Sequence, residues 1–137
     1  MVEINERKLR AIYLDDEEML LTAMGHILTE FGLEVTTHSD PDMALESMDK
    51  DRRGFDLALI DFRMDKKNGA EVLREMANHQ FYDIPYVALF SAMPYLPEIN
   101  EAFDQYGLNE YKIYRITKSY SETRELRHLL EEMKKGH

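Results

Sequence analysis

Short apolar runs and helical periodicities alternate along this chain. Arg10 to Leu14 is a mostly apolar run that stops at Asp15-Asp16. Behind it Met19, Leu20, Ala23, Met24, Ile27, Leu28 and Phe31 recur at helical spacing, and Gly32 supplies the stop. Leu33 to His38 alternates and holds β-branched residues, which predicts a strand. Asp40-Pro41 pairs an N-cap with a first-turn proline and opens a helix carrying Ala44, Leu45 and Met48. Phe55 to Ile60 predicts the third strand, and Gly69 opens a helix with Val72, Leu73 and Met76. Ile84 to Phe90 is almost wholly apolar, as a strand covered on both faces requires. A helix over roughly Leu96 to Tyr106 is ended by Gly107, and Glu110 to Ile116 has the polar alternation of an edge strand. The last helix carries Leu126, Leu129, Leu130 and Met133. It starts near Ser119, where Glu122 would complete a capping box, or near Ser121 as a simple cap.

Alternation of strand and helix implies an α/β fold of parallel strands joined by right-handed crossovers. The length of 137 residues suits one domain with a real core. No internal repeat, low-complexity stretch or linker divides it, and the basic end Lys134-Lys135-Gly136-His137 reads as a frayed terminus or an artificial boundary. A net charge of -10 argues against a general nucleic-acid surface, which needs clustered Lys and Arg. The absence of cysteine excludes disulfides and thiolate metal sites and fits an intracellular protein. The acidic N-terminus has no signal-peptide character, and no run approaches the ~18 apolar residues of a membrane span. A cytoplasmic protein is expected.

The candidate chemistry lies where the strands end. In an open parallel sheet all strand C-termini share one edge, the edge at which ligands bind. Asp15-Asp16, Asp61, Ser91 and Lys118 each follow a predicted strand. Any one of them alone reads as a cap or turn residue; a shared edge makes them a constellation. Packed carboxylates raise one another's pKa unless a cation lies among them. An oxygen-rich site of this kind suits Mg²⁺, which binds one or two carboxylates plus a phosphate. An Asp beside such an ion can attack phosphorus and form an aspartyl phosphate, with Lys118 and the ion offsetting charge on the phosphoryl oxygens.

These motifs resemble the receiver domain of two-component response regulators. The matching residues are Leu14-Asp15-Asp16-Glu17, the run Asp61-x-x-Met64-x-x-x-x-Gly69, Phe90-Ser91-Ala92 and Lys118, and they extend over nearly the whole chain. The resemblance implies a flavodoxin-like, doubly wound sheet of five parallel strands in the order 2-1-3-4-5 with five helices. All of residues 1–137 would be one receiver, with its core over about residues 8–134. It implies that Asp61 is the phosphoacceptor. Asp16, Asp61 and the Arg63 backbone carbonyl would ligate Mg²⁺ directly, and Asp15 would act through water. Ser91 would be the switch hydroxyl, and Lys118 would pair with the phosphate. The implied partners are a histidine kinase or phosphotransfer protein as donor, an output domain or target protein, and a second copy in a homodimer. Neither direct nucleic-acid binding nor membrane contact is implied. Such a domain catalyses its own phosphorylation and dephosphorylation, yet its product is a signalling conformation rather than a metabolite.

Three positions depart from the family's pattern. Ser119 follows the lysine where proline in a cis bond is usual, so either the site supports a costly non-proline cis bond or the loop is trans. Arg115 occupies the place of the aromatic switch residue, with Tyr114 beside it on the opposite face. Asp65 replaces a common loop proline, which predicts a looser loop and more negative charge near the site. Arg63 and Met93, each two residues past a key site residue, flank the entrance, where Arg63 would either slow or steer an attacking water or simply stand solvated. Five of the eight tyrosines fall at Tyr95, Tyr106, Tyr111, Tyr114 and Tyr120, on the surface receivers use for output and dimerisation. About half of them are expected simply to pack. The histidines show no paired metal spacing, and the nine methionines fall mostly at core positions.

Two other functions compete. Arg115 and Ser119 motivate a pseudo-receiver, a phosphate-independent protein-interaction module. A metabolic phosphatase with an aspartyl nucleophile would need an Asp-x-Asp signature, and Arg63 holds the second position. No phosphate-binding loop of the Gly-x-x-x-x-Gly-Lys type is present either.

Overall fold

The interior strands are buried almost throughout, because helices cover both faces of the sheet. The structure is a computed structural model in which residues 7–136 are described. Strands β1 (Arg10–Leu14), β2 (Glu34–His38), β3 (Leu57–Ile60), β4 (Tyr86–Ser91) and β5 (Tyr114–Thr117) pair in parallel in the order 2-1-3-4-5. Helices α1 (Glu18–Glu30), α2 (Pro41–Lys50), α3 (Gly69–Asn78), α4 (Pro97–Gln105) and α5 (Arg124–Lys135) form the crossovers. This is the doubly wound, flavodoxin-like arrangement that the family resemblance implied.

Period-two alternation divides the core into two layers. Ile12, Leu14, Ala58, Ile60, Val87 and Leu89 face α2, α3 and α4. Ala11, Tyr13, Leu57, Leu59, Ala88 and Phe90 face α1 and α5. Among the described residues no helix is long and apolar enough to cross a membrane.

Several boundaries differ from expectation, each for a local reason. β3 begins at Leu57, with Phe55 and Asp56 leading into it, and β4 spans Tyr86–Ser91. β5 begins only at Tyr114, since Leu108–Glu110 forms a 3₁₀ turn after Gly107, whose φ is 66°. Helix α1 buries Leu21, Met24 and Leu28, and Met19 points into solvent. Helix α5 starts at Arg124 with no side-chain cap. The Ser119 hydroxyl instead accepts the N–H groups of Ser121 and Glu122 at 3.3 and 3.0 Å, closing a turn before the helix. Asp40 caps α2 as predicted. Asn68 and Glu71 form a capping box at the start of α3 that the glycine overshadowed in the sequence.

The connection from α3 to β4 is strained. Gln80, Phe81, Tyr82 and Asp83 have φ values of 55, 54, 51 and 60°, a left-handed turn without glycine. Each such residue costs roughly 1–2 kcal/mol. Packing holds the turn: Phe81 meets Tyr111 edge-on at 5.0 Å, and Tyr82 stacks on His79 at 5.0 Å. Gln80 is exposed and makes no such contact. We predict that Gln80→Gly stabilises the protein by about 1 kcal/mol by relieving that conformation. Thermal unfolding tests this, and a lowered midpoint would sink the idea.

Candidate functional site

Strand ladders carry the site residues to one edge. The backbone N–H of Asp15 donates to His38, that of Asp61 to Leu14, and that of Lys118 to Ser91, at 3.2, 3.0 and 2.8 Å. Each ladder thus extends one residue past its strand. Asp15, Asp61 and Lys118 then fall two residues after Tyr13, Leu59 and Ile116, all on the α1/α5 face of the sheet. Sequence parity alone therefore brings the three side chains together.

Lys118 Nζ lies 2.7 Å from Asp15 Oδ2 and 3.1 Å from Asp61 Oδ1, with all three side chains largely buried. The Lys118–Ser119 peptide is trans, so the lysine reaches both carboxylates without the bond usual for proline. Asp16, half-buried, completes the cluster: Asp15, Asp16 and Asp61 each offer a carboxylate oxygen within 4.8 Å of the others. A hard, all-oxygen donor set with water access fits Mg²⁺. Burial raises the Asp61 carboxyl to about 6, aided by the Asp15 charge and opposed by Lys118. Burial alone would depress the Lys118 ammonium, but its bonds and charge interactions with Asp15 and Asp61 hold it above the ordinary lysine value.

The loop after Asp61 folds tightly back. The Gly69 N–H donates to Phe62 at 2.8 Å, and a Cβ at Gly69 would overlap the Asp61 carbonyl oxygen. Only glycine permits that approach. Asp65 does not loosen the loop: its N–H, which proline would lack, donates to Asp16 Oδ2 at 2.9 Å. Lys66 adds a tether to Asp42 at 2.8 Å.

Residues 11–131 match the sequence profile of the response regulator receiver domain. The chain belongs to that family. It is also 34% identical over 93 residues to response regulator RR06 of Streptococcus pneumoniae, covering 68% of this chain and 41% of that protein. The chain thus spans well under half the length of that relative. Among solved structures, a CheY-like receiver from Methanospirillum hungatei superposes with a TM-score of 0.71 at 21% identity, covering 96% of this chain and all of that one. Response regulator TrrA of Thermotoga maritima, solved in complex with Mg²⁺ and BeF, gives 0.70 at 23% identity, covering 91% and 98%. At these identities the superpositions speak for the fold.

Within this receiver the Ser91 hydroxyl and the Arg63 side chain each have a partner of their own. The Ser91 hydroxyl accepts the Met93 N–H at 3.3 Å, in the loop that leads to α4. The Arg63 side chain reaches across to Glu98 of α4 at 3.0 Å, where both are exposed. Arg115 has partners that sequence could not supply. Its guanidinium donates to the Pro94 carbonyl at 3.2 Å and to the Asn100 side chain, and lies over the rings of Phe103 at 4.1 Å and Tyr95 at 5.1 Å. In place of a mobile ring, this receiver has a cation clamping the β4–α4 loop and α4 to β5. We predict that Arg115→Ala costs about 1–2 kcal/mol of local stability. Amide exchange should then quicken selectively over residues 93–100. Uniform protection across that segment would count against the clamp.

The residue that sequence reading missed altogether is Tyr13. Its hydroxyl donates to Asp15 Oδ2 at 2.7 Å, the oxygen that also receives Lys118. The Glu17 N–H takes the other oxygen, Oδ1, at 3.0 Å. A tyrosine two residues before a site carboxylate, on the same strand face, was the available signal.

Proposed function

We propose that this receiver accepts a phosphoryl group on Asp61 from a histidine kinase or phosphotransfer protein and passes the change to its α4–β5–α5 surface. The observation that carries this reading is the buried Asp61 carboxylate held 3.1 Å from Lys118, at the edge where Asp15 and Asp16 converge. In this reading Asp16, Asp61 and the Arg63 carbonyl hold Mg²⁺, with Asp15 acting through water. When bound, the ion would offset charge on the acceptor and on the transferring phosphoryl oxygens. An Asp61 oxygen attacks phosphorus; the new P–O bond forms as the P–N bond to the donor imidazole breaks, and the imidazole leaves with that electron pair. Lys118 faces the phosphoryl oxygens, and Ser91 exchanges its bond from Met93 for one to the phosphoryl group.

The rim of the site supports a protein as donor. Met19, Met43, Met93, Tyr95 and Tyr120 are exposed in the first turns of α1 and α2 and on the loops after β4 and β5. Apolar side chains of these types suit contact with a partner's surface. A small metabolite would not cover them. We read residues 1–137 as one receiver, with its core over about residues 8–134, working in the cytoplasm. An output domain or target protein and a homodimeric partner belong to the same proposal.

Incubation with acetyl phosphate and Mg²⁺, followed by intact-mass measurement, tests the reading. Gain of one phosphoryl group by the wild type and none by Asp61→Asn is the expected result. An unmodified wild type would favour a phosphate-independent interaction module, the reading that the Arg115 clamp otherwise recommends.

A further inference from the structure

Lys118 has two competing tasks if Asp61 carries a phosphoryl group. It is held more closely by Asp15, at 2.7 Å, than by Asp61, at 3.1 Å. To face the phosphoryl oxygens it must loosen its hold on Asp15 Oδ2. That oxygen is wholly buried, and stripping its donor would leave an unsatisfied buried charge. The cost would fall on the phosphorylated state.

Tyr13 removes that cost. Its hydroxyl already donates to the same Oδ2 at 2.7 Å, so the oxygen keeps a donor whichever way Lys118 turns. The ring cannot drift: Tyr13 is fully buried on β1 and packs edge-on against Phe90, the neighbour of Ser91, at 5.7 Å and 76°.

We infer that Tyr13 is a positioning residue: its hydroxyl satisfies Asp15 and thereby releases Lys118 to the phosphoryl group on Asp61. This rests on the acceptor reading of Asp61. A structural hydrogen bond alone would support metal and phosphoryl binding alike. A releasing role separates them. Without the hydroxyl, Asp15 is more negative and attracts a cation at least as well, but it also retains Lys118.

The test is Tyr13→Phe, with Tyr13→Leu as a second variant lacking the hydroxyl. Mg²⁺ affinity is read from amide chemical shifts, and BeF₃⁻ affinity from ¹⁹F signals at saturating Mg²⁺. Mg²⁺ should bind as tightly as to the wild type or more so, and BeF₃⁻ about fivefold more weakly, the worth of one hydrogen bond. Parallel weakening of both, or unchanged BeF₃⁻ affinity, would overturn the role of Tyr13 alone. A wild type that binds no BeF₃⁻ would remove the acceptor reading and this inference with it.

Discussion

Asp61→Asn is expected to abolish phosphoryl acceptance and, in Mg²⁺-free buffer at neutral pH, to make the protein more stable. The oxygen proposed to attack phosphorus is lost, so modification should vanish outright. The gain in stability follows from the carboxyl's elevation from 3.8 to about 6. A carboxyl raised by folding is harder to ionise in the native state, so the native state holds more protons than the unfolded one between those two values. Stability therefore falls as pH climbs through that window. About two pKa units correspond to up to about 3 kcal/mol of repulsion and desolvation above pH 6. Asparagine keeps the shape and removes the charge. Its advantage should be full near pH 7.5, fade as pH falls through 6, and vanish below 3.8, where Asp61 is protonated in both states. Mg²⁺ should narrow the gap by stabilising the wild type through binding. Thermal melts over pH with and without Mg²⁺ check this. A variant less stable than wild type at pH 7.5 without metal would contradict it.

That cost also explains why the site was legible early. An acidic residue at the end of an apolar run is locally expensive, and the sequence places two such runs, ending at Asp15 and Asp61, beside a third ending in serine and a fourth in lysine. Strand parity then decides which side chains meet. Asp15, Asp61 and Lys118 follow it, as does the division of the core into two layers, whereas the strand order came with the family resemblance. What the sequence obscured depends on contacts between distant elements. Tyr13 looks like one more core residue until Asp15 is placed beside it. Arg115 stood out as a departure, but its partners at Pro94, Asn100 and Phe103 depend on where α4 settles. The left-handed turn over Gln80–Asp83 carries none of the glycine that usually marks one, because aromatic packing holds it. The start of α5 moved for a simpler reason: the Ser119 hydroxyl is spent on a turn, so the helix waits until Arg124.

Lys118→Met should have the opposite effect from Asp61→Asn. The ammonium stands between two buried carboxylates, at 2.7 Å from Asp15 and 3.1 Å from Asp61. Removing one partner of a buried pair leaves an uncompensated charge, and about 3 kcal/mol of stability should be lost at pH 7.5. Lys118 is held above its ordinary value, so its contribution is complete below the unfolded lysine pKa and disappears only in alkali. The loss should therefore be seen across the neutral range. It should shrink as pH falls towards about 6, because without the lysine, which holds the Asp61 carboxyl down, that carboxyl takes up a proton at a higher pH and needs no cation. The two substitutions cannot be additive, since their atoms share one ion pair. In a Lys118→Met background, Asp61→Asn should stabilise by more than it does in the wild type, because the carboxylate it removes has lost its cation. A double-mutant cycle by denaturant unfolding measures this coupling directly. Equal effects of Asp61→Asn in the two backgrounds would mean that Lys118 does not offset the Asp61 charge. Its place in the site would then have to be explained by Asp15 alone.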